Sequence, residues 1–175
     1  MFDPTIFDNL KVVLEGELYD ADREGRIEVI GREDTVELAG MSRTFRMKLR
    51  LTDGRSTAIV ALAGELEDFA AEWRGLRLAD DRPGAKLSVA INRPDFGGIR
   101  PHQWRELKQI WAGEGELSGE TRTAIDPETG CSGGDTYTRI EIRFRTKIDE
   151  SDVNRLPELV GRLEQTLAWA DGTAV

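Results

Sequence analysis

The alternating run from Arg43 to Leu51, with Asp53-Gly54 and a second apolar run behind it, constrains this chain more than any other feature. Successive side chains of a strand point to opposite faces, so Phe45, Met47, Leu49 and Leu51 share one side and Thr44, Arg46, Lys48 and Arg50 the other. Asp-Gly is a strong two-residue turn signal. A turn at Asp53 and Gly54 pairs Leu49 with Ala58, Met47 with Val60 and Phe45 with Leu62, and sets Ile59 against Lys48. A slip of one residue would expose the whole apolar set, so this register is strongly specified. The region is committed to an antiparallel hairpin with one dry face.

Other segments add to that hairpin. Lys11–Tyr19 alternates, with Val12, Leu14 and Leu18 opposed to Glu15, Glu17 and Tyr19, which predicts a strand. Asp20–Gly25 reads as a turn and Arg26–Ile30 as the returning strand. Leu66, Phe69, Ala70 and Trp73 have helical spacing. A break at Arg82-Pro83-Gly84 and a strand over Lys86–Asn92 follow, then a loop over residues 93–98. Pro101 opens a short helix that places Trp104, Leu107 and Trp111 on one face. Glu116–Ile125 is extended, residues 126–134 form an exposed connection, and Thr136–Ile148 is a strand with Ile140, Ile142 and Phe144 on its apolar side. The chain closes with a helix whose stripe is Leu156, Leu159, Val160, Leu163, Leu167 and Ala170, with Asn154 as N-cap, Pro157 in the first turn and Gly161 at a close approach. Strands predominate, and no steady strand–helix–strand rhythm appears. The expectation is one α+β domain over residues 1–175: a predominantly antiparallel sheet packed against two or three helices, the C-terminal one included.

Composition narrows the function classes. The formal charge of −9 over 175 residues repels a phosphate backbone, and the basic strand faces carry no rings for stacking, since Phe45 and Phe144 lie on the opposite faces. Nucleic acid is therefore disfavoured as a partner. Cys131 is the only cysteine and cannot form an intrachain disulfide, which suits a reducing compartment, so the expected location is cytoplasmic. No apolar run approaches the ~20 residues of a membrane span, and the first residues lack a basic start with an apolar core.

Two basic rows are the candidate binding surface: Arg46, Lys48 and Arg50 on one strand, and Arg139, Arg143, Arg145 and Lys147 on another. Brought together they would form a concavity for an anionic small molecule or an acidic protein partner. Interleaved with Glu15, Glu17, Glu28, Glu116 and Glu120, they would simply be neutralised across strands. Trp104 and Trp111 are candidates for a pocket, an interface or the core. The single histidine, His102, could move a proton, with Asp126, Glu128 and Cys131 as further catalytic candidates, and nothing in their spacing brings them together. One histidine and one cysteine are too few for a zinc site, so no metal and no cofactor is expected. The leading expectation is a non-catalytic binding or assembly domain, an acidic-partner reader or a homodimer. The alternative is a small enzyme or metabolite-binding protein with a basic pocket and His102 or a carboxylate as acid/base.

Overall fold

The computed structural model describes residues 5–74, 84–94, 98–125 and 132–172. The chain order is helix α1 (Thr5–Arg23), strands β1 (Glu28–Glu37), β2 (Ser42–Arg50) and β3 (Thr57–Gly64), helix α2 (Leu66–Arg74), strand β4 (Lys86–Pro94), helix α3 (Pro101–Ile110), strands β5 (Gly115–Ile125) and β6 (Ser132–Phe144), a 3₁₀ turn (Glu150–Arg155) and helix α4 (Leu156–Asp171). The six strands form one sheet in the order β1-β2-β3-β4-β6-β5, and every neighbouring pair is antiparallel. The fold is the expected α+β class.

The β2–β3 register is the one read from the sequence: Leu49 with Ala58, Met47 with Val60, Phe45 with Leu62, and Lys48 with Ile59. The tight turn itself sits one residue earlier than expected. Gly54 N–H donates to the Leu51 carbonyl at 2.9 Å, and Asp53 takes the left-handed conformation at φ 61°. Asp tolerates that region because its short polar side chain can bond locally.

The first segment departs from its predicted hairpin. Residues 5–23 are helical because the stripe begins before the alternating window: Phe7, Leu10, Leu14, Leu18 and Ala21 recur at helical spacing, and none is more than 2% exposed. Val12, which a strand would bury with Leu14, is 64% exposed. The strand that follows is longer than Arg26–Ile30 and pairs with β2 instead. One extra residue, Ile30, interrupts that ladder between Val29 and Gly31.

One face of the sheet is dry. Phe45, Met47 and Leu49 of β2, Val60 and Leu62 of β3, Val89 and Ile91 of β4, and Ile140 and Ile142 of β6 are fully buried with the stripes of α1 and α4 in one core. Burying each such side chain contributes about 1.5–3 kcal/mol. In α4 the predicted stripe is buried throughout, and Pro157 lies in the first turn. Asn154 is not its cap. The 3₁₀ turn carries the chain into α4 directly, and Asp149 caps that turn by accepting from Ser151 N–H at 2.8 Å. A side chain at Gly161 would meet nothing within 4 Å, so the expected close approach is absent. β6 begins at Ser132, earlier than the predicted connection allows. No described helix is long and apolar enough to cross a membrane. The break at Arg82-Pro83 and the side chain of Trp73 lie outside the described residues.

Candidate functional site

The two basic rows do not meet. β3 and β4 stand between β2 and β6, which separates the rows by about three strand spacings, roughly 14 Å. Each row is largely answered by carboxylates. On the face away from the helices, Arg50 reaches Glu28 at 2.7 Å and Arg46 lies 3.6 Å from Glu33, both across the β1–β2 ladder. Lys48 stands opposite Gly31. On β6, Arg139 and Arg143 straddle Glu141 at 3.4 and 2.5 Å. Arg145 lies 3.7 Å from Glu116. Lys147 contacts Asp68 at 2.5 Å, and Asp68 is itself 3% exposed, so this lysine is held in the fold rather than presented as a ligand.

The ionisation of these carboxylates follows from the pairing. The hydrogen bond from Arg50 holds Glu28 below its ordinary pKa. Burial opposes the charge on Glu141, but Arg143 and Arg139 outweigh it and the pKa falls. The strongest case is on the helix side of β1, where Asp34 bonds Arg43 and Lys11 against an opposing desolvation cost and is lowered to about 2.

The other predicted residues scatter. His102 is exposed in the first turn of α3 and lines none of the three cavities described here. Asp126, Glu128 and Cys131 lie outside the described residues. Of the three readings open for Trp111, the core is the one found: it is fully buried, with its indole N–H donating to Thr166 Oγ1 at 3.1 Å. Trp104 is half-buried under β5, where a Cβ on Gly119 would meet its ring at 2.8 Å. Glycine at that position lets the indole lie against the strand.

Two edges bound the sheet. β1 carries Glu28, Arg32, Glu33, Asp34 and Glu37 together with its bulge, features that blunt an edge against pairing. β5 is regular for eleven residues, and the extra residues of the β5–β6 ladder near its end belong to β6. The ladder of β4 on β6 stops at Pro94–Tyr137, whereas β5 continues to Ile125, so the end of β5 projects past the body of the sheet. Thr121–Ile125 are all exposed, Ile125 at 67%. Among the described residues, no strand pairs with the outer edge of β5.

Three hollows accompany these edges. One of about 510 Å³ spreads over Glu120, Arg122, Arg139, Glu141 and Arg143 on the outer face of the β5–β6 ribbon. A second, about 230 Å³, lies between β6 and α4, where Arg155 and Arg162 converge on Glu114 at 2.9 and 2.8 Å. The third, about 220 Å³, lies where β3 begins and β4 and α4 end, and Ser56, Arg93 and Asp171 line it. Arg139 and Arg143 of the predicted basic row line the first hollow and Arg145 lines the second, whereas the third was not singled out from the sequence. The available signal was Arg93, a cation at the next inward position after Leu87, Val89 and Ile91.

No protein-family model, curated protein or solved structure matches this chain.

Proposed function

We propose that this chain is a non-catalytic assembly domain that forms a two-fold homodimer by pairing the outer edge of β5 with the same edge of a second copy. The observation that supports it is the self-complementarity of β5 about Thr121. In an antiparallel pair, directly opposed residues share a face. A two-fold axis at Thr121 therefore sets Glu120 against Arg122 of the second copy, twice, and Leu117 against the exposed Ile125. Centring the axis on Glu120 or Arg122 instead would oppose like charges. Such an isologous contact closes on itself and extends the sheet from six strands to twelve. Glu120 and Arg122 already attract within one copy, at 2.6 Å.

Readings that invoke an acidic partner or an anionic ligand on Arg46, Lys48, Arg50, Arg139 and Arg143 have weaker support. Four of those five cations have carboxylates within 4 Å.

Charge reversal tests the pairing by sedimentation velocity. Glu120→Arg and Arg122→Glu each turn two attractive contacts repulsive and should weaken dimerisation about tenfold or more. The double reversal should restore it. A wild-type chain that stays monomeric at its highest soluble concentration, or reversals that leave the mass distribution unchanged, would rule the reading out.

A further inference from the structure

The seam between the sheet and α4 opens beside the end of β6. β4 and β6 pair as far as Ser88 with Arg143, and the next bridge joins Ala85 to Ile148. Between these pairings one side runs through residues 144–147 and the other through 86 and 87 alone, so the longer side bows out of the ladder. The cleft of about 230 Å³ lies at this bow. Its apolar floor is Leu87 of β4, Phe144 at the end of β6, Ile148, and Leu156 and Leu159 of the first turn of α4. Leu87, Ile148, Leu156 and Leu159 keep 4%, 7%, 2% and 6% of their surface, whereas Val89, Ile91, Ile140 and Ile142 of the same dry face keep none.

The rim is charged and has the geometry of a carboxylate clamp. Arg155 Nη2 lies 2.9 Å from one oxygen of Glu114, and Arg162 Nη1 lies 2.8 Å from the other. The two guanidinium groups are thus spaced to hold a single carboxylate, one oxygen each. Asp152 steadies Arg155 at 3.0 Å, and Glu158 steadies Arg162 at 2.7 Å. The carboxylate in the clamp is delivered by a strained turn. Glu114 N–H donates to the Trp111 carbonyl at 2.9 Å, and Ala112 and Gly113 between them are left-handed, at φ 45° and 78°. Alanine has no polar side chain to offset that conformation. Ligand sites join an apolar lining to a few placed polar groups, and this cleft has both parts.

We propose that the cleft binds a short aliphatic monocarboxylate, its chain on the apolar floor and its carboxylate on Arg155 and Arg162, in the position Glu114 occupies. Glu114 is then a built-in competitor, and its release frees the turn at Ala112. With Glu114 displaced, the rim keeps Arg145, Arg155 and Arg162 against Asp152 and Glu158, a surplus of positive charge. The size is compatible: at ~30 Å³ per water, the space equals about eight waters, roughly the heavy-atom count of hexanoate. The cleft lies within one copy and does not depend on how β5 associates.

Calorimetric titration of the full chain with hexanoate tests this, against acetate, which has the charge without the chain, and hexanol, which has the chain without the charge. Hexanoate should bind saturably, and the other two at least about tenfold more weakly. Glu114→Gln removes the competing charge and should tighten hexanoate binding about tenfold. Arg162→Gln should weaken it about tenfold or more in protein whose far-ultraviolet dichroism matches wild type. Arg155→Gln, at a more exposed position, should do the same if the first variant misfolds. Hexanol binding as tightly as hexanoate would make this a purely apolar cleft. Glu114→Gln binding no tighter than wild type would show that Glu114 does not hold the ligand's place. Hexanoate taken up by neither wild type nor Glu114→Gln would leave the arginines to the fold alone. Any of these results overturns the proposal.

Discussion

The two edges of the sheet are secured in different ways. β1 is tied to the helix beneath it: Arg32 bonds Glu15 of α1 at 2.5 Å, Asp34 bonds Lys11 at 2.7 Å, and Arg43 of the neighbouring strand reaches both Asp34 and Asp8. Lys11 and Arg32 also lie 5.7 and 5.4 Å from the ring of Phe45, which is fully buried. β5 has Trp104 beneath Gly119 and then runs out into solvent. A polar edge can thus be held by charges from its own chain, whereas an edge with few charges and a regular backbone is left for another strand.

Truncating the core on each side should expose the contrast most strongly. Phe45→Ala under β1 should cost about 3–5 kcal/mol in urea unfolding, since it empties a packed site. Leu117→Ala on β5, where the side chain is only half-buried, should cost roughly 1 kcal/mol in dilute solution. Equal losses would break the comparison.

Acid should act next, and on the β1 side. Asp34 has its pKa lowered to about 2 from 3.8, so the native state holds fewer protons than the unfolded chain between those values. Its contribution is present above pH about 4 and is lost as the pH falls toward 2. Asp34→Asn should cost about 1–2 kcal/mol at neutral pH and flatten that acid limb in thermal unfolding curves. An unchanged limb would show that the cluster around Arg43 does not hold the edge.

The smallest effect is expected on the outer face of β2. Arg46→Glu with Lys48→Glu should cost no more than about 1 kcal/mol, because the pair of Arg46 with Glu33 is exposed. Its sedimentation profile should match wild type, since β2 lies inside the sheet. A shift toward monomer would move the association surface from the β5 edge to this face.

Much of the sheet was legible because β2, β3, β4 and β6 each turn a dry face to the helices and a wetter face away from them, so residues alternate along each strand and the alternation reports the pairing. α1 was not, because Leu14 and Leu18 fit both periods until Phe7 and Leu10 are counted with them. β1 was legible only as far as Ile30: beyond it the charges answer α1 and β2, and no apolar alternation survives. The interleaving of acids with the basic rows was foreseen in kind, but Glu15 answers Arg32 from a helix and not from a strand. The hollow at Asp171 could not be read from spacing. Ser56 and Asp171 are 115 positions apart, and only the docking of α4 on the β2–β3 turn joins them.

The buried contact between α3 and α4 has a mechanical consequence. Thr166 Oγ1 accepts from the Trp111 indole and donates to the Arg162 carbonyl at 2.7 Å, so its hydroxyl is used in both directions. Sliding either helix by a turn would strand an indole N–H among aliphatic side chains, which has a penalty that a purely greasy seam would not impose. These two helices should therefore travel as a unit in any breathing of the molecule, with Trp111 as the pin that sets their phase.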